Sequence, residues 1–293
     1  NRTYNTKKKM IRLLCVLGHG YELLPHFIEH YSKYVDEIQF VIYESEASPR
    51  VLNRSKSIIQ NYSNCKIVKV VRDRVYDWEK VTILYNMIKS KKKNDWWVIA
   101  DIDEFHLYPN NDLRELIKTC DDNLWTMVRG GFVDRVGPNG VFPKIVDDKN
   151  IFETFPYAGF FRYPLSDACP NKVSIVKGSV EITNGQHYAK INGHTTWRWQ
   201  GWNHPDIAPY EKYSVQVHHF KWDETCAKRI KSVADLNQTY AYSKEYYKLY
   251  EQLKRTDFAV DIKNKDFLFL KCPTSDFNQY KHWNKLIKKI VAI

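Results

Sequence analysis

The sequence predicts an α/β protein built on a doubly wound, mostly parallel sheet. In the first part of the chain, short apolar runs of strand type alternate with segments of helical periodicity. Strands that alternate with helices in this way pair in parallel. The apolar run at 96–100 ends abruptly in Asp101, Asp103 and Glu104. Because ligands of such sheets bind just outside the carboxyl ends of the strands, these acids mark a candidate site.

The individual elements follow from local patterns. Apolar runs predict strands at 11–17, 37–43, 66–71, 96–100 and 124–128. Helical periodicity predicts helices at about 21–34, 49–62, 77–89 and 112–120. Beyond Gly130 the chain is rich in Gly, Pro and aromatic residues, which predicts a smaller mixed region of short strands and loops. C-terminal helices are expected at 227–253, a Tyr-rich segment, and at 278–293.

The composition excludes several classes of protein. Of the 293 residues, 43% are hydrophobic and 15% aromatic, which suits a packed core and argues against disorder. No apolar run approaches the roughly 20 residues of a membrane span. A formal net charge of +11 favours anionic partners such as nucleotide-sugar phosphates or an anionic membrane surface. No nucleic-acid-binding motif accompanies this charge, so nucleic acid is not expected as a partner.

The pattern of cysteines indicates the cellular compartment of the protein. All six are scattered, with no CxxC pair, which argues against a zinc site or a disulfide framework and favours a reducing compartment. We therefore expect a cytoplasmic protein, of a bacterium or of a virus-infected host cell. The alternative is the Golgi lumen if the chain is a trimmed fragment, since four Asn-x-Ser/Thr sequons would permit it. The basic tail at 278–293 could touch a membrane surface or cap the fold.

The acids at 101–104 suit a divalent cation. Carboxylates crowded at a strand end repel one another, and their oxygens are the ligands that Mg²⁺ and Mn²⁺ use when they bridge a protein to a diphosphate. On an extended segment Asp101 and Asp103 project the same way, and Glu104 points elsewhere. The alternative is a solvated strand end without function.

Several motifs, in a fixed order, resemble those of the GT-A glycosyltransferases. The resemblance covers about 11–222 and is greatest to the family-2-like and family-92-like enzymes with an Asp-x-Asp-Glu-Phe motif. The motifs are Leu23-Leu24-Pro25-His26-Phe27 on the first helix, Asp101-Ile102-Asp103-Glu104-Phe105, Gly131-Phe132-Val133-Asp134-Arg135, Gly185-Gln186-His187, and Val217-His218-His219-Phe220-Lys221-Trp222.

Such a family implies a Rossmann-like GT-A fold and a metal-dependent glycosyltransferase. A hexosyl or pentosyl group would pass from a nucleotide-sugar donor to a hydroxyl of a glycan or glycoconjugate. UDP is the commonest nucleotide in this class, so we expect a UDP-sugar. One domain is expected, with 11–128 as the nucleotide-sugar-binding half, 129–222 as the acceptor and metal-completing half, and 223–293 as a helical extension.

The resemblance also implies a metal site. Asp103 is the first candidate for a direct ligand, and Asp101 would face the metal or the ribose of the donor. A later histidine completes such sites, and the candidates are His218 and His219, of which His219 matches the family position better. Because imidazole suits Mn²⁺ better than Mg²⁺, we expect Mn²⁺ before Mg²⁺. Lys221 shares the face of His219 and could reach the diphosphate, or be an ordinary surface lysine.

Residues for the donor and the acceptor are expected on either side of the metal. The donor candidates lie at or beside strand ends and are Leu17, Gly18, His19, Glu44, Arg72, Asp73, Asp101 and Ile102. The acceptor candidates are Trp197, Trp199 and Trp202, whose flat faces suit a sugar but would also suit a core corner. His187 is either a site residue or a structural histidine.

An inverting transfer needs a carboxylate that deprotonates the acceptor hydroxyl. Asp134 is the first candidate for this base, followed by Asp167 and Asp206. Asp134 could instead form an ion pair or cap a turn. A retaining reaction would need no such base. We expect inversion.

Two other functions could use some of the same residues. A metal-dependent phosphohydrolase could use Asp101 and Asp103, but Phe105 stands where the Asp-x-Asp-x-Thr pattern of that class needs a threonine. A non-catalytic module that binds carbohydrate or nucleic acid could use the tryptophans and the positive charge, yet it would leave the clustered acids unexplained.

Overall fold

The computed structural model describes residues 9–166, 168–191, 193–195, 204–236 and 241–291. The strands are β1 (Ile11–Leu17), β2 (Glu37–Glu44), β3 (Cys65–Arg72), β4 (Trp96–Ile99), β5 (Glu104–Leu107), β6 (Met127–Val136), β7 (Tyr157–Gly159), β8 (Asn171–Lys177), β9 (Glu181–Ile182), β10 (Ala189–Ile191), β11 (His194–Thr195), β12 (Val215–His219) and β13 (Leu270–Lys271). The helices are α1 (Leu24–Ser32), α2 (Val51–Ile59), α3 (Trp78–Lys89), α4 (Leu113–Asp122), α5 (Ile151–Thr154), α6 (Arg162–Ser166), α7 (Tyr210–Tyr213), α8 (Cys226–Ala234), α9 (Ala241–Lys254) and α10 (Trp283–Val291).

The main sheet has the strand order β13-β7-β6-β8-β4-β1-β2-β3, and β12 joins β6 to β5. Strands β1 to β4 pair in parallel. Strand β8 runs antiparallel between β4 and β6, and β12 is parallel to β6 and antiparallel to β5. The predicted α/β class is confirmed, with the parallel part in the first half and a mixed part beyond it.

Helices cover both faces of the parallel part. Alternate residues of β1 point to opposite sides, because side chains alternate along a strand. Leu13 packs with α1, α2 and α4 in one apolar cluster, whereas Leu14 packs with α3 in another. This is the doubly wound arrangement that the alternating pattern predicts.

Two predicted elements differ from the structure, and one strand was not predicted. The strand expected at 124–128 begins only at Met127, because Leu124 has a positive φ of 62° in the turn after α4, and it continues to Val136. The single helix expected at 227–253 is two helices, α8 and α9, with residues 237–240 outside the described part of the chain. Strand β5 was not predicted, since its four residues read as the end of the acidic motif.

The C-terminal helix α10 caps the mixed end of the sheet. Its apolar residues Trp283, Leu286, Ile287 and Ile290 are buried in a cluster that also contains Val133 of β6. The apolar face that would enter a membrane surface is therefore covered by protein. No helix within the described ranges is long and apolar enough to cross a membrane.

Three buried histidines lie between α1 and the pair β5–β12. His30 Nε2 lies 2.9 Å from the carbonyl oxygen of His106, and His218 lies between Arg135 and Gln216. Burial is the largest cause that lowers the pKa of each ring, to about 3 for His30, and neighbouring cationic groups add to it. These rings are therefore neutral in the folded protein at pH 7.

We expect the folded state to lose stability when the pH falls below 6.5. Each ring then binds a proton in the unfolded chain but not in the folded one, so the free energy of unfolding falls by about 1.4 kcal/mol per pH unit for each such histidine. For His30 the loss extends down to about pH 3. Urea unfolding at pH 7 and pH 5 measures this, and His30→Phe should reduce the difference. Equal stability at both pH values would contradict the expectation.

Candidate active site

The carboxyl ends of four strands meet at one edge of the sheet. Strands β1, β4, β6 and β12 run in the same direction, and β5 and β8 run the opposite way, so those two begin at the same edge. This direction alone brings together side chains that are far apart in the sequence. They are His19, Asp101, Asp103, Glu104, Asp134, Lys172 and His219.

Asp103, His219 and Asp134 form a line of charges at this edge. Asp103 Oδ2 lies 3.4 Å from His219 Nε2, and Asp134 Oδ1 lies 3.7 Å from His219 Nδ1 on the other side of the ring. The second distance exceeds that of a hydrogen bond, and Nδ1 is buried without a hydrogen-bond partner among the described residues. Asp134 therefore acts on the ring through its charge.

The charges of these three groups support one another. Burial by itself raises the pKa of Asp103, but the charge and hydrogen bond of His219 outweigh it and hold that pKa well below its usual range. Burial by itself lowers the pKa of His219, and the two carboxylates, Asp103 foremost, raise it above the ordinary value. At neutral pH the carboxylate of Asp103 is therefore ionised.

Asp134 is fully occupied by the fold. Its side chain is fully buried, Oδ1 accepts a hydrogen bond from Trp222 Nε1 at 2.9 Å, and Oδ2 accepts from the backbone N–H groups of Phe161 and Arg162 at 3.0 Å each. The ring of Phe132 packs against that of His219, with ring centroids 4.7 Å apart and the planes tilted by 31°. The hydrogen bonds hold the Asp134 carboxylate in place beside the imidazole, and Phe132 limits the movement of the ring.

Asp101 and Glu104 share a lysine, and the Glu104 side chain is buried whereas that of Asp101 is 27% exposed. Lys172 Nζ lies 2.7 Å from Glu104 Oε1, 3.1 Å from Asp101 Oδ2 and 3.0 Å from Gln186 Oε1. The Tyr85 hydroxyl donates to Asp101 Oδ1 at 3.0 Å. Burial lowers the pKa of Lys172, but Asp101 and Glu104 more than reverse that, so the ammonium stays charged.

The cationic side of the site carries Lys221. Its side chain is 8% exposed, its ammonium contacts the hydroxyl of Tyr246 on α9, and Nζ lies 4.1 Å from the centroid of that ring. Beside it, Arg162 pairs with Glu245 at 2.8 Å. The Tyr-rich helix α9, whose pattern indicates a packing surface, thus contributes directly to this edge.

The predicted donor residues fall into two groups. Leu17, Gly18, His19 and Ile102 lie around the end of β1, and a Cβ on Gly18 would lie 2.1 Å from the ring of Tyr76, so only glycine lets that ring pack there. Burial lowers the pKa of His19, and the charge of Asp103 opposes this, which places His19 within reach of the acids.

The second group of donor residues lies farther along the same edge. Glu44 Oε1 accepts from Leu52 N at 3.1 Å, and its Oε2 pairs with Arg72 at 3.0 Å. Asp73 accepts from the Tyr43 hydroxyl and pairs with Lys80. Glu44 and Asp73 are thus engaged in the ends of β2 and β3.

Of the remaining candidates, two are separated from the acids, one lies beside the lysine network, and the others lie outside the described residues. His218 faces the opposite side of β12, where its Nδ1 accepts from Arg135 Nε at 2.8 Å, so it does not share the environment of His219. Asp206 lies beside Thr126 at the start of β6, the end opposite Asp134. His187 Nδ1 lies 2.7 Å from the carbonyl oxygen of Asn171, and burial together with the charge of nearby Lys172 lowers the pKa of the ring to about 3. The candidates outside the described residues are Asp167, Trp197, Trp199 and Trp202.

The site fits a divalent cation with two protein ligands. Across the described ranges, no group of three His, Cys, Asp or Glu side chains is arranged to hold a metal ion. Asp103 Oδ2 and His219 Nε2 nevertheless offer an oxygen and a nitrogen donor at one point, a set that suits Mn²⁺. Cations that act on nucleotides commonly take one or two protein ligands and complete their shell with phosphate oxygens and water.

Sequence reasoning missed Lys172, Gln186, Tyr85 and Tyr246 as site residues. Lys172 could have been recognised from the sequence, because it lies at the start of a predominantly apolar run of strand type. That run continues with Val173, Ser174, Ile175 and Val176. A charged residue in a buried strand requires a partner, and the unpaired acids of the preceding motif were the natural candidates.

No protein-family model and no curated protein matches the chain. Solved structures that match it include 4-diphosphocytidyl-2C-methyl-D-erythritol synthase, with 10% identity over 59% of this chain and 76% of that chain and a TM-score of 0.32. A putative glucose-1-phosphate thymidylyltransferase from Bacillus anthracis, in complex with a sucrose, has 10% identity, 96% coverage of each chain and a TM-score of 0.30. UDP-glucose pyrophosphorylase complexed with UDP-glucose has 9% identity, 96% coverage of this chain, 99% of that chain, and a TM-score of 0.27. Scores this low support no conclusion about fold or function, so both rest on the geometry of the chain itself.

Proposed function

We propose that the protein is a metal-dependent glycosyltransferase that moves a sugar from a nucleotide-sugar donor, a UDP-sugar, to a hydroxyl of a glycan or glycoconjugate. The single observation that carries the proposal is the approach of Asp103 and His219, 3.4 Å apart at the carboxyl edge of the sheet. They are 116 positions apart in the chain (219 − 103 = 116). The resemblance of the flanking motifs to GT-A enzymes supports the same reading.

Each described residue then has a defined task. Asp103 and His219 would hold Mn²⁺ or Mg²⁺, which acts as a Lewis acid and stabilises the negative charge that grows on the departing diphosphate. Lys221 supplies a second positive charge on the same side, held in place by Tyr246. The end of β1, with Gly18 and His19, receives the nucleotide.

Asp134 is proposed to orient His219 rather than to deprotonate the acceptor. Its two oxygens already accept three hydrogen bonds from buried donors. A general base must reach the proton that it removes, and the acceptor hydroxyl cannot approach a carboxylate enclosed in this way. Inversion stays part of the proposal, and Asp167 stays a candidate for the base.

A thermal-shift experiment tests the proposal. The protein is heated with UDP-, GDP-, CMP- and dTDP-sugars, with and without Mn²⁺. A ligand present at 100 times its Kd stabilises the native state by about 2.7 kcal/mol, so one nucleotide class should raise the Tm only when Mn²⁺ is present.

Two isosteric variants make the result specific. Asp103→Asn should abolish the metal-dependent shift. Asp95→Asn is the matched control, because Asp95 lies just before the same strand and pairs with Arg12 away from the acids. Absence of a shift with every nucleotide, in folded protein, would count against the transferase and favour a binding module.

A further inference from the structure

Lys172 is saturated by its surroundings. An ammonium group has three N–H donors, and the side chains of Glu104, Asp101 and Gln186 provide three acceptors within 3.1 Å. The side chains of Lys172 and Glu104 are only 3% and 2% exposed, so this network belongs to the interior and is unlike a surface ion pair. No donor of Lys172 is left over for a ligand.

Both oxygens of Asp101 also take part in this hydrogen-bond network. One of its oxygens accepts from the Tyr85 hydroxyl and the other from Lys172, at 3.0 and 3.1 Å. One acceptor position on each oxygen is thus taken, and the positive charge of Lys172 beside Asp101 opposes the approach of a metal ion. Asp103 differs, because its described side-chain neighbour is His219, whose imidazole is itself a metal-ligand type.

From these contacts we propose that Lys172 is a positioning residue that acts as a built-in cation. Its single positive charge offsets one of the two negative charges of Asp101 and Glu104 and fixes the Asp101 carboxylate as a hydrogen-bond acceptor at the donor site. Asp103 is then the only acid of the motif that binds the divalent ion. The divalent ion and the donor site in this proposal rest on the proposed function, whereas the ion network is a feature of the structure itself.

The physical reason is the crowding of like charges. Asp101, Asp103 and Glu104 lie within four positions, and three unpaired carboxylates at one strand end would repel one another. A lysine fixed by the fold reduces this repulsion before any ligand arrives.

The first test compares two isosteric variants by Mn²⁺ titration, followed by the EPR signal of free Mn²⁺. Asp101→Asn keeps an acceptor oxygen for Lys172 and should bind Mn²⁺ within about twofold of wild type. Asp103→Asn should weaken Mn²⁺ binding by about tenfold or more, since it removes a direct ligand. If Asp101→Asn weakens Mn²⁺ binding as much as Asp103→Asn, Asp101 is a metal ligand and the inference is overturned.

The second test removes the built-in cation. Lys172→Ala frees the oxygens of Asp101 and Glu104, which lie within 3.1 Å of the ammonium nitrogen, and should raise the affinity for Mn²⁺ alone by about tenfold. Adding Glu104→Gln to this variant should cancel the gain. The matched control is Lys177→Ala on the same strand, because Lys177 pairs with Asp121 outside the network. A folded Lys172→Ala protein with wild-type Mn²⁺ affinity would contradict the role of the lysine.

Failure of the inference and failure of the proposed function are distinguishable. The titrations use Mn²⁺ without nucleotide, whereas the function is tested by the thermal shift with nucleotide-sugars. If no nucleotide-sugar binds but the Mn²⁺ pattern holds, the function is wrong and the inference stands. If Lys172→Ala does not fold, the pair Asp101→Asn and Asp103→Asn decides.

Discussion

Asp103→Asn is expected to lower transfer of the sugar by about a thousandfold or more, because Lewis-acid stabilisation of the leaving group contributes several kcal/mol and each 1.4 kcal/mol is a factor of about ten. The amide has the same shape but loses the charge that holds the metal opposite His219. The measurement is release of UDP from the donor identified in the thermal-shift screen, at saturating donor and Mn²⁺. The fold should persist, since the Asp103 side chain is 15% exposed and the replacement is isosteric.

Asp95→Asn is the control for this experiment and should keep wild-type turnover. Asp95 precedes β4 at the end opposite Asp103, and its partner Arg12 also pairs with Glu37. If Asp103→Asn retains turnover within about tenfold of wild type, the metal contributes less than about 1.4 kcal/mol and the proposed chemistry is wrong.

Asp134→Ala is expected to destabilise the protein by about 4 kcal/mol, because it leaves three buried donors without an acceptor and each costs about 1–3 kcal/mol. The donors are Trp222 Nε1 and the backbone N–H groups of Phe161 and Arg162. This is a large share of the stability of a domain, which is about 5–15 kcal/mol. Urea unfolding at pH 7 gives the free energy difference.

The control for Asp134→Ala is Asp235→Ala. Asp235 pairs with Lys231 at the exposed end of α8, with its side chain 62% exposed, so its loss should change stability by less than about 1 kcal/mol. A positioning role and a catalytic-base role of Asp134 predict different results. A large loss of turnover in Asp134→Ala with unchanged stability would favour the catalytic base over the positioning role.

The sequence identified the acids because they interrupt an apolar pattern. Asp101 and Asp103 follow a fully buried strand, and few structural arrangements tolerate such a step from apolar to charged residues. The same reasoning found the first four strands within one or two residues, since a strand buried on both faces is a continuous apolar run. The prediction was less accurate at turns, because the positive φ of Leu124 makes β6 begin later in the chain than the apolar run suggests.

The order of the strands could not be predicted in the second half of the chain. Local patterns carry no information on which strand pairs with which, and β8 inserts between β4 and β6 although it follows both in sequence. This insertion places Lys172 beside Asp101. It is also the reason that Asp101 and Glu104 pair with a lysine of the fold.

The sequence by itself determined the α/β class, the acidic strand end and the pair of histidines from which one had to be chosen. Only the tertiary structure decided between them. On β12 adjacent side chains point to opposite faces, so the register with β5 and β6 turns His219 towards Asp103 and His218 into the core beside Arg135. The same pairing encloses Asp134 under Trp222. Hydrophobic periodicity specifies elements, whereas the partners of a charged side chain depend on long-range pairing, and that information exists only in the folded chain.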